Sequence, residues 1–149
     1  MSRWDARPVM KELEDGIEIT ADPGRGRVLL RGAERPWNDE VLDFLCEIGD
    51  SGISARSMIR TLDGDALASW VAELADSYHG WDGVRSWESL EHALRIDAVQ
   101  ERRGHVCLRF VVRGPQSYES DAWEASVCVR LDAGEDMKRL AAEVAAFLA

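Results

Sequence analysis

The sequence has no apolar run of the ~18 residues needed to span a bilayer, and Met1 to Gly16 holds none that would serve as a signal-peptide core. The expected location is the cytoplasm. Lysine is nearly missing, with only Lys11 and Lys138 beside the arginines. The 28 acidic residues outnumber the 18 basic ones and leave a net charge of −10. Such a field repels nucleic-acid phosphates and anionic lipid, so neither nucleic acid nor membrane is an expected partner. Cysteine is scarce, and Cys46, Cys107 and Cys128 show neither an even count nor paired spacing. That argues against a disulfide framework or zinc knuckle, and each is expected to act as a small, free hydrophobe in a strand. A phosphate loop is missing too: Gly24-Arg25-Gly26 lacks a third glycine, a following helix and the lysine. No nucleophile elbow, Cys-x-x-Cys pair or His-Glu-x-x-His helix is found. His79, His92 and His105 have no spacing that preorganises ligands. No cofactor, metal site or catalytic residue is expected, and an enzyme centre would have only His105, His79 and Asp82 to draw on.

What is present describes a folded domain. A chain of 149 residues, 46% hydrophobic and 31% charged, suits one domain with its own core. Residues 1–12 read as a loose tail, with Trp4 able to fold back, and 13–149 as the domain. Strands are expected over Gly16 to Thr20, Arg27 to Arg31, Glu40 to Gly49, Ile53 to Thr61, His92 to Val99, His105 to Arg113 and Ala122 to Leu131. The longer ones alternate apolar and polar residues, the mark of a sheet with one face inward. Pro23 to Gly26, Gly49 to Gly52 and Gln100 to Gly104 carry turn chemistry between them. A helix is expected from about Gly64 to Tyr78, with Asp63 as cap and Leu67, Trp70, Val71, Leu74 and Tyr78 on its buried stripe. A second begins after Asp132, which with Glu135 resembles a capping box, and buries Met137, Leu140 and Val144. The fold class is therefore α+β: an antiparallel sheet of about seven strands in hairpin order, packed with two helices.

Tryptophan carries the remaining signal. Trp81 and Trp87, beside Gly80 and Gly83, read as a packed corner at the end of the first helix. Trp37 lies in an acidic loop ahead of the first strong strand. An interface needs a few aromatic anchors within a charged rim, so the expected binding residues are Trp37, Asp39, Glu40, Asp82, Glu119 and Asp121. An acidic surface favours a basic protein partner. The alternative is a homodimer contact through Val41, Leu45 and Val111 on the outer face of the sheet.

Gly80-Trp81-x-Gly83, Trp87-x-Ser89-Leu90-Glu91, Ile96-x-Ala98, Gly104-His105-Val106, Trp123 and Gly134-Glu135 together resemble an uncharacterised family of small actinobacterial proteins, a domain of unknown function, over about residues 40–149. The layout also resembles the WapI-type immunity proteins. That resemblance implies a small cytoplasmic protein that neutralises a cognate toxin by binding it, and carries over no catalytic residue.

Overall fold

The computed structural model describes residues 10–13, 16–20, 25–115 and 117–149. Its strands are β1 (Met10–Leu13), β2 (Gly16–Thr20), β3 (Arg27–Glu34), β4 (Val41–Asp50), β5 (Ile53–Leu62), β6 (Val84–Glu88), β7 (Leu94–Glu101), β8 (His105–Arg113) and β9 (Glu124–Asp132). A 3-10 turn over Asp63–Ala66 leads into α1 (Leu67–Asp76), and α2 (Glu135–Phe147) closes the chain. The first sheet runs β1-β2-β3-β4-β5 and the second β6-β7-β8-β9, with every pairing antiparallel. The α+β class is the one expected, but the strands form two sheets of five and four instead of one of about seven. The division falls at α1, which carries the chain from one layer to the other. The expected strands are all present. Of the two others, β1 lies in the stretch read as a tail, and β6 buries only Trp87, so it lacks the alternation that marks a strand. Trp4 and the Pro23-Gly24 half of the expected turn lie outside the described residues.

A side-chain period of two sends one face of each sheet inward. Leu42, Phe44, Cys46 and Ile48 of β4 join Val106, Leu108, Phe110 and Val112 of β8 in a single cluster. The two helices share that cluster through Leu67, Val71 and Leu74 of α1 and Met137, Leu140 and Val144 of α2. Phe44 is completely buried and meets the Phe147 ring edge-on, with centroids 5.7 Å apart. Among the described residues, no helix is long and apolar enough to cross a membrane.

Several expectations change with the structure. Cys107 and Cys128 form a disulfide with Cα atoms 6.4 Å apart, leaving Cys46 as the free thiol. Strand register pairs Cys107 with Arg130 and Arg109 with Cys128, so the cysteines are diagonal neighbours on one face. Their separation of 21 residues gives no hint of this, because register depends on how β8 and β9 align. A bridged pair suits an oxidising environment, whereas cytoplasmic chains keep thiols reduced, so cysteine chemistry and expected location point in different directions. Burial pushes the Cys46 thiol well above its ordinary range. Val111, expected on the outer face, is outside the core cluster but covered, at 2% exposed, while Val41 and Leu45 are half-buried. Asp63 does not cap α1, because it adopts left-handed backbone with φ 51° within the 3-10 turn. At α2 the reciprocal bonds are displaced from the expected capping box. The Gly134 N–H donates to Asp132 Oδ1 at 2.7 Å, and the Asp132 N–H donates to Asp136 Oδ2 at 3.0 Å.

The Phe44 environment sets a test of the shared core. Phe44→Ala should cost about 3–5 kcal/mol in denaturant unfolding. Phe147→Ala, at a half-buried position, should cost distinctly less.

Candidate functional site

Four segments meet at one end of the molecule. They are the β3–β4 loop over 35–40, the 3-10 turn, the β6–β7 hairpin over 89–93, and the β8–β9 loop over 114–123. Asp65 joins the two sheets there. Its carboxylate accepts the N–H groups of Leu62, at the end of β5, and Leu90, in the hairpin, at 2.9 and 2.8 Å. Its carbonyl accepts the buried Trp87 indole N–H at 2.8 Å. The β3–β4 loop is tied to the same turn, since Arg35 pairs with Asp63 at 2.8 Å and the Asp63 N–H donates to the Glu40 carbonyl at 2.7 Å. Ser117 donates to the Glu91 carbonyl and Arg113 to that of Glu119, which seats the long loop beside the hairpin.

This end also concentrates unusual backbone. Five non-glycine residues among those described have positive φ: Asn38, Asp63, Asp65, Ala66 and His92. All five lie in these segments. Left-handed backbone costs a residue with a Cβ about 1–2 kcal/mol, more readily tolerated by Asn and Asp than by Ala. Such conformations persist only where the surroundings impose them, and they gather at binding and catalytic sites.

Large apolar side chains stand out from the same surface. Trp37 is 61% exposed, Leu62 45%, Leu90 58%, Tyr118 72% and Trp123 45%. Trp123 falls within the strand expected over Ala122 to Leu131, but β9 begins only at Glu124. The residue instead lies in the loop, with its indole over Gly114, where a Cβ would collide with it. The Arg60 guanidinium stacks 4.7 Å from the Trp37 ring and forms a two-pronged bond to Asp43 at 2.9 and 2.8 Å. That hydrogen bonding to Asp43 raises the Arg60 pKa above its ordinary value and orients the cation under the indole.

Five of the six expected binding residues, Trp37, Asp39, Glu40, Glu119 and Asp121, share this end. Asp82 does not: it precedes β6, where Val84 pairs with Val99 at the opposite end of the second sheet. Arg35, Arg60 and Arg113 are each engaged by a carboxylate, from Asp63, Asp43 and Glu124. Among the described residues no ion pair forms at the Glu40, Glu119 and Asp121 side chains, so the surface between the aromatics is locally negative. Leu62, Asp65, Leu90 and Tyr118 were not anticipated as part of the site. A visible signal existed for Tyr118, an aromatic in an otherwise polar loop, but none for Leu62, which ends β5 like an ordinary core residue, or for Leu90, in a hairpin whose first strand was not expected.

The other tryptophans pack as structural residues, but at opposite ends of β6 and not in the single corner expected. Trp87 is buried, and half-buried Trp81 donates to the Ala98 carbonyl at 3.3 Å with Arg85 over its ring. The histidines do not converge. His92 lies 3.1 Å from Glu88 at the aromatic end, while His79 stacks on Tyr78 and His105 opens β8. Among the described residues, no three His, Cys, Asp or Glu side chains are placed to hold a metal ion.

The Asp65 carboxylate sets the second test. Asp65→Ala leaves two amides unpaired and places a Cβ without compensation in left-handed backbone, so it should cost about 1–3 kcal/mol. Asp65→Asn keeps one acceptor and tolerates the conformation but turns its NH2 toward the second amide, so it should cost less than Asp65→Ala but more than nothing in the same denaturant titration.

No curated protein and no solved structure matches this chain. One family model does, and it reaches further toward the N-terminus than the motifs around Trp81 and Trp87. The chain belongs to the Family of unknown function (DUF6228), whose model matches residues 19–149.

Proposed function

We propose that this protein is a non-catalytic binding module that captures a basic protein partner on its aromatic end, with a cognate toxin domain as the first candidate. The observation that carries the reading is the gathering of five left-handed residues in the segments that display Trp37, Leu62 and Leu90, with Tyr118 and Trp123 exposed on the adjoining loop. Around Trp37, Leu62 and Leu90, backbone held in costly conformations presents large apolar groups to solvent, where core formation gains nothing from them. Exposed tryptophan and tyrosine are the anchor types that dominate interface energetics. Glu40, Glu119 and Asp121 add negative charge around the anchors, and the net charge of −10 extends that field to a distance. A basic partner is drawn in by this arrangement and then held by aromatic contact. The resemblance in layout to toxin-neutralising immunity proteins directs the choice of partner to try first.

The test uses the full chain and the basic protein encoded beside its gene, followed by calorimetry. Trp37→Ala and Tyr118→Ala should each weaken binding about tenfold or more. The association rate should fall steeply between about 50 and 500 mM salt. Asp82→Asn, at the other end, should change neither. Equal binding by the two aromatic variants would sink the proposal. A concentration-dependent dimer abolished by Trp37→Ala would hand the same surface to a second copy of this chain.

A further inference from the structure

The structure holds a second feature that the aromatic end does not use. A cleft of about 290 Å³ opens where β9 crosses the start of β3, lined by Arg25, Gly26, Asp50, Arg109, Ser126 and residues 127–130. Gly26 makes the crossing possible, since a Cβ there would collide with the Cys128 carbonyl. The cleft lies at the far end of the first sheet from the aromatic loops: Arg27 pairs with Gly49, whereas the β3–β4 loop follows Glu34.

Its charge runs against that of the protein. Three arginines and one carboxylate line it, in a chain with 28 acidic and 18 basic residues. Among the other arginines, Arg31, Arg35, Arg60, Arg95 and Arg113 each pair with a carboxylate, whereas Arg56, Arg85, Arg102 and Arg139 show none among the described residues and do not line a cleft with a second free guanidinium. Arg130 pairs with Glu101 at 2.6 Å, and that bond holds the Glu101 carboxyl below its ordinary range. Arg25 and Arg109 have no carboxylate partner among the described residues, and Arg109 reaches only the Ser126 hydroxyl at 3.3 Å. The register of β8 and β9 forms a rectangle, with Cys107 and Cys128 on one diagonal and Arg109 and Arg130 on the other. The disulfide thus lies between two guanidinium-bearing positions and fixes their spacing. Glu101 offsets Arg130, and Asp97, opposite Arg109 in the register, is engaged by Ser86 and Arg95, so a bound anion would supply Arg109 with a partner of its own.

We propose that this cleft binds a small phosphate monoester carrying hydroxyl groups, of the size of a sugar phosphate or mononucleotide. Guanidinium forks match the oxygens of a phosphate, and a dianion satisfies Arg25 and Arg109 together. Asp50 and Ser126 supply an acceptor and a hydroxyl for the polar remainder of the ligand, and Asp50 disfavours a bare polyanion. The volume falls at the lower edge of small-molecule sites, ~300–1,000 Å³, and excludes a nucleic-acid segment.

The experiment titrates the full chain at low salt with ribose 5-phosphate, adenosine monophosphate and inorganic phosphate, read by calorimetry. Saturable binding of at least one ester is expected, with inorganic phosphate at least tenfold weaker. Which ester binds better tells a sugar site from a nucleotide site. Arg25→Gln and Arg109→Gln should each weaken the ester about tenfold, and the double variant should abolish binding. Both side chains are exposed, so the thermal midpoint of each variant should match the parent. Trp37→Ala should bind the ester normally, which separates this site from the aromatic end. Absence of saturable binding by either ester, or binding unchanged in the double variant, overturns the proposal. Equal affinity for inorganic phosphate overturns the assignment to an ester.

Discussion

The two sheets of this protein are separate layers, and Asp65 joins them where they would otherwise present loose loops. One carboxylate accepts an N–H from each sheet's edge region, and the adjoining carbonyl accepts the Trp87 indole. These bonds hold Asp65 at φ 50°, and with it Gly64 and Ala66 on either side. A residue in that conformation is stable only because several partners require it. The same constraint sets Leu62 and Leu90 side by side on the surface, so a feature of the fold determines a feature of the binding end.

How far the chain could be read in advance depended on whether a signal was local. The long strands announce themselves through alternation, as in Leu42, Phe44, Cys46 and Ile48, and α2 through Met137, Leu140 and Val144 at helical spacing. Residues whose state depends on distant partners gave no such sign. Cys107 and Cys128 needed the register of two strands, and Ala66 has no intrinsic preference for left-handed backbone. The β6 strand is the most instructive case. Its sequence, Val-Arg-Ser-Trp-Glu, buries one side chain, so it reads as loop. In a meander each additional strand sends the chain to the opposite end. With β6 present, Asp82 lies at the opposite end of the second sheet from Glu119 and Asp121, a separation that a reading without β6 cannot give.

Charge divides the surface into two characters. At the aromatic end, the arginines are occupied by carboxylates and the residual charge is negative. At the β3–β9 crossing, Arg25 and Arg109 have no carboxylate partner among the described residues, in a chain with ten more acids than bases. Net charge, the quantity legible from composition, describes the first surface and conceals the second. A basic macromolecule and a small anion are thus complementary to different ends of one molecule, and neither would obstruct the other.

The Cys107–Cys128 bridge has a consequence for the chain between its ends. It closes a ring that contains the loop bearing Tyr118 and Trp123, so those aromatics are carried on a hoop with both feet fixed. Closing a loop of this length removes about 3 kcal/mol of disorder from the unfolded chain in entropic models. A protease that severed the backbone at the hoop's crest would yield two fragments that still travel as one molecule until a reductant parts them.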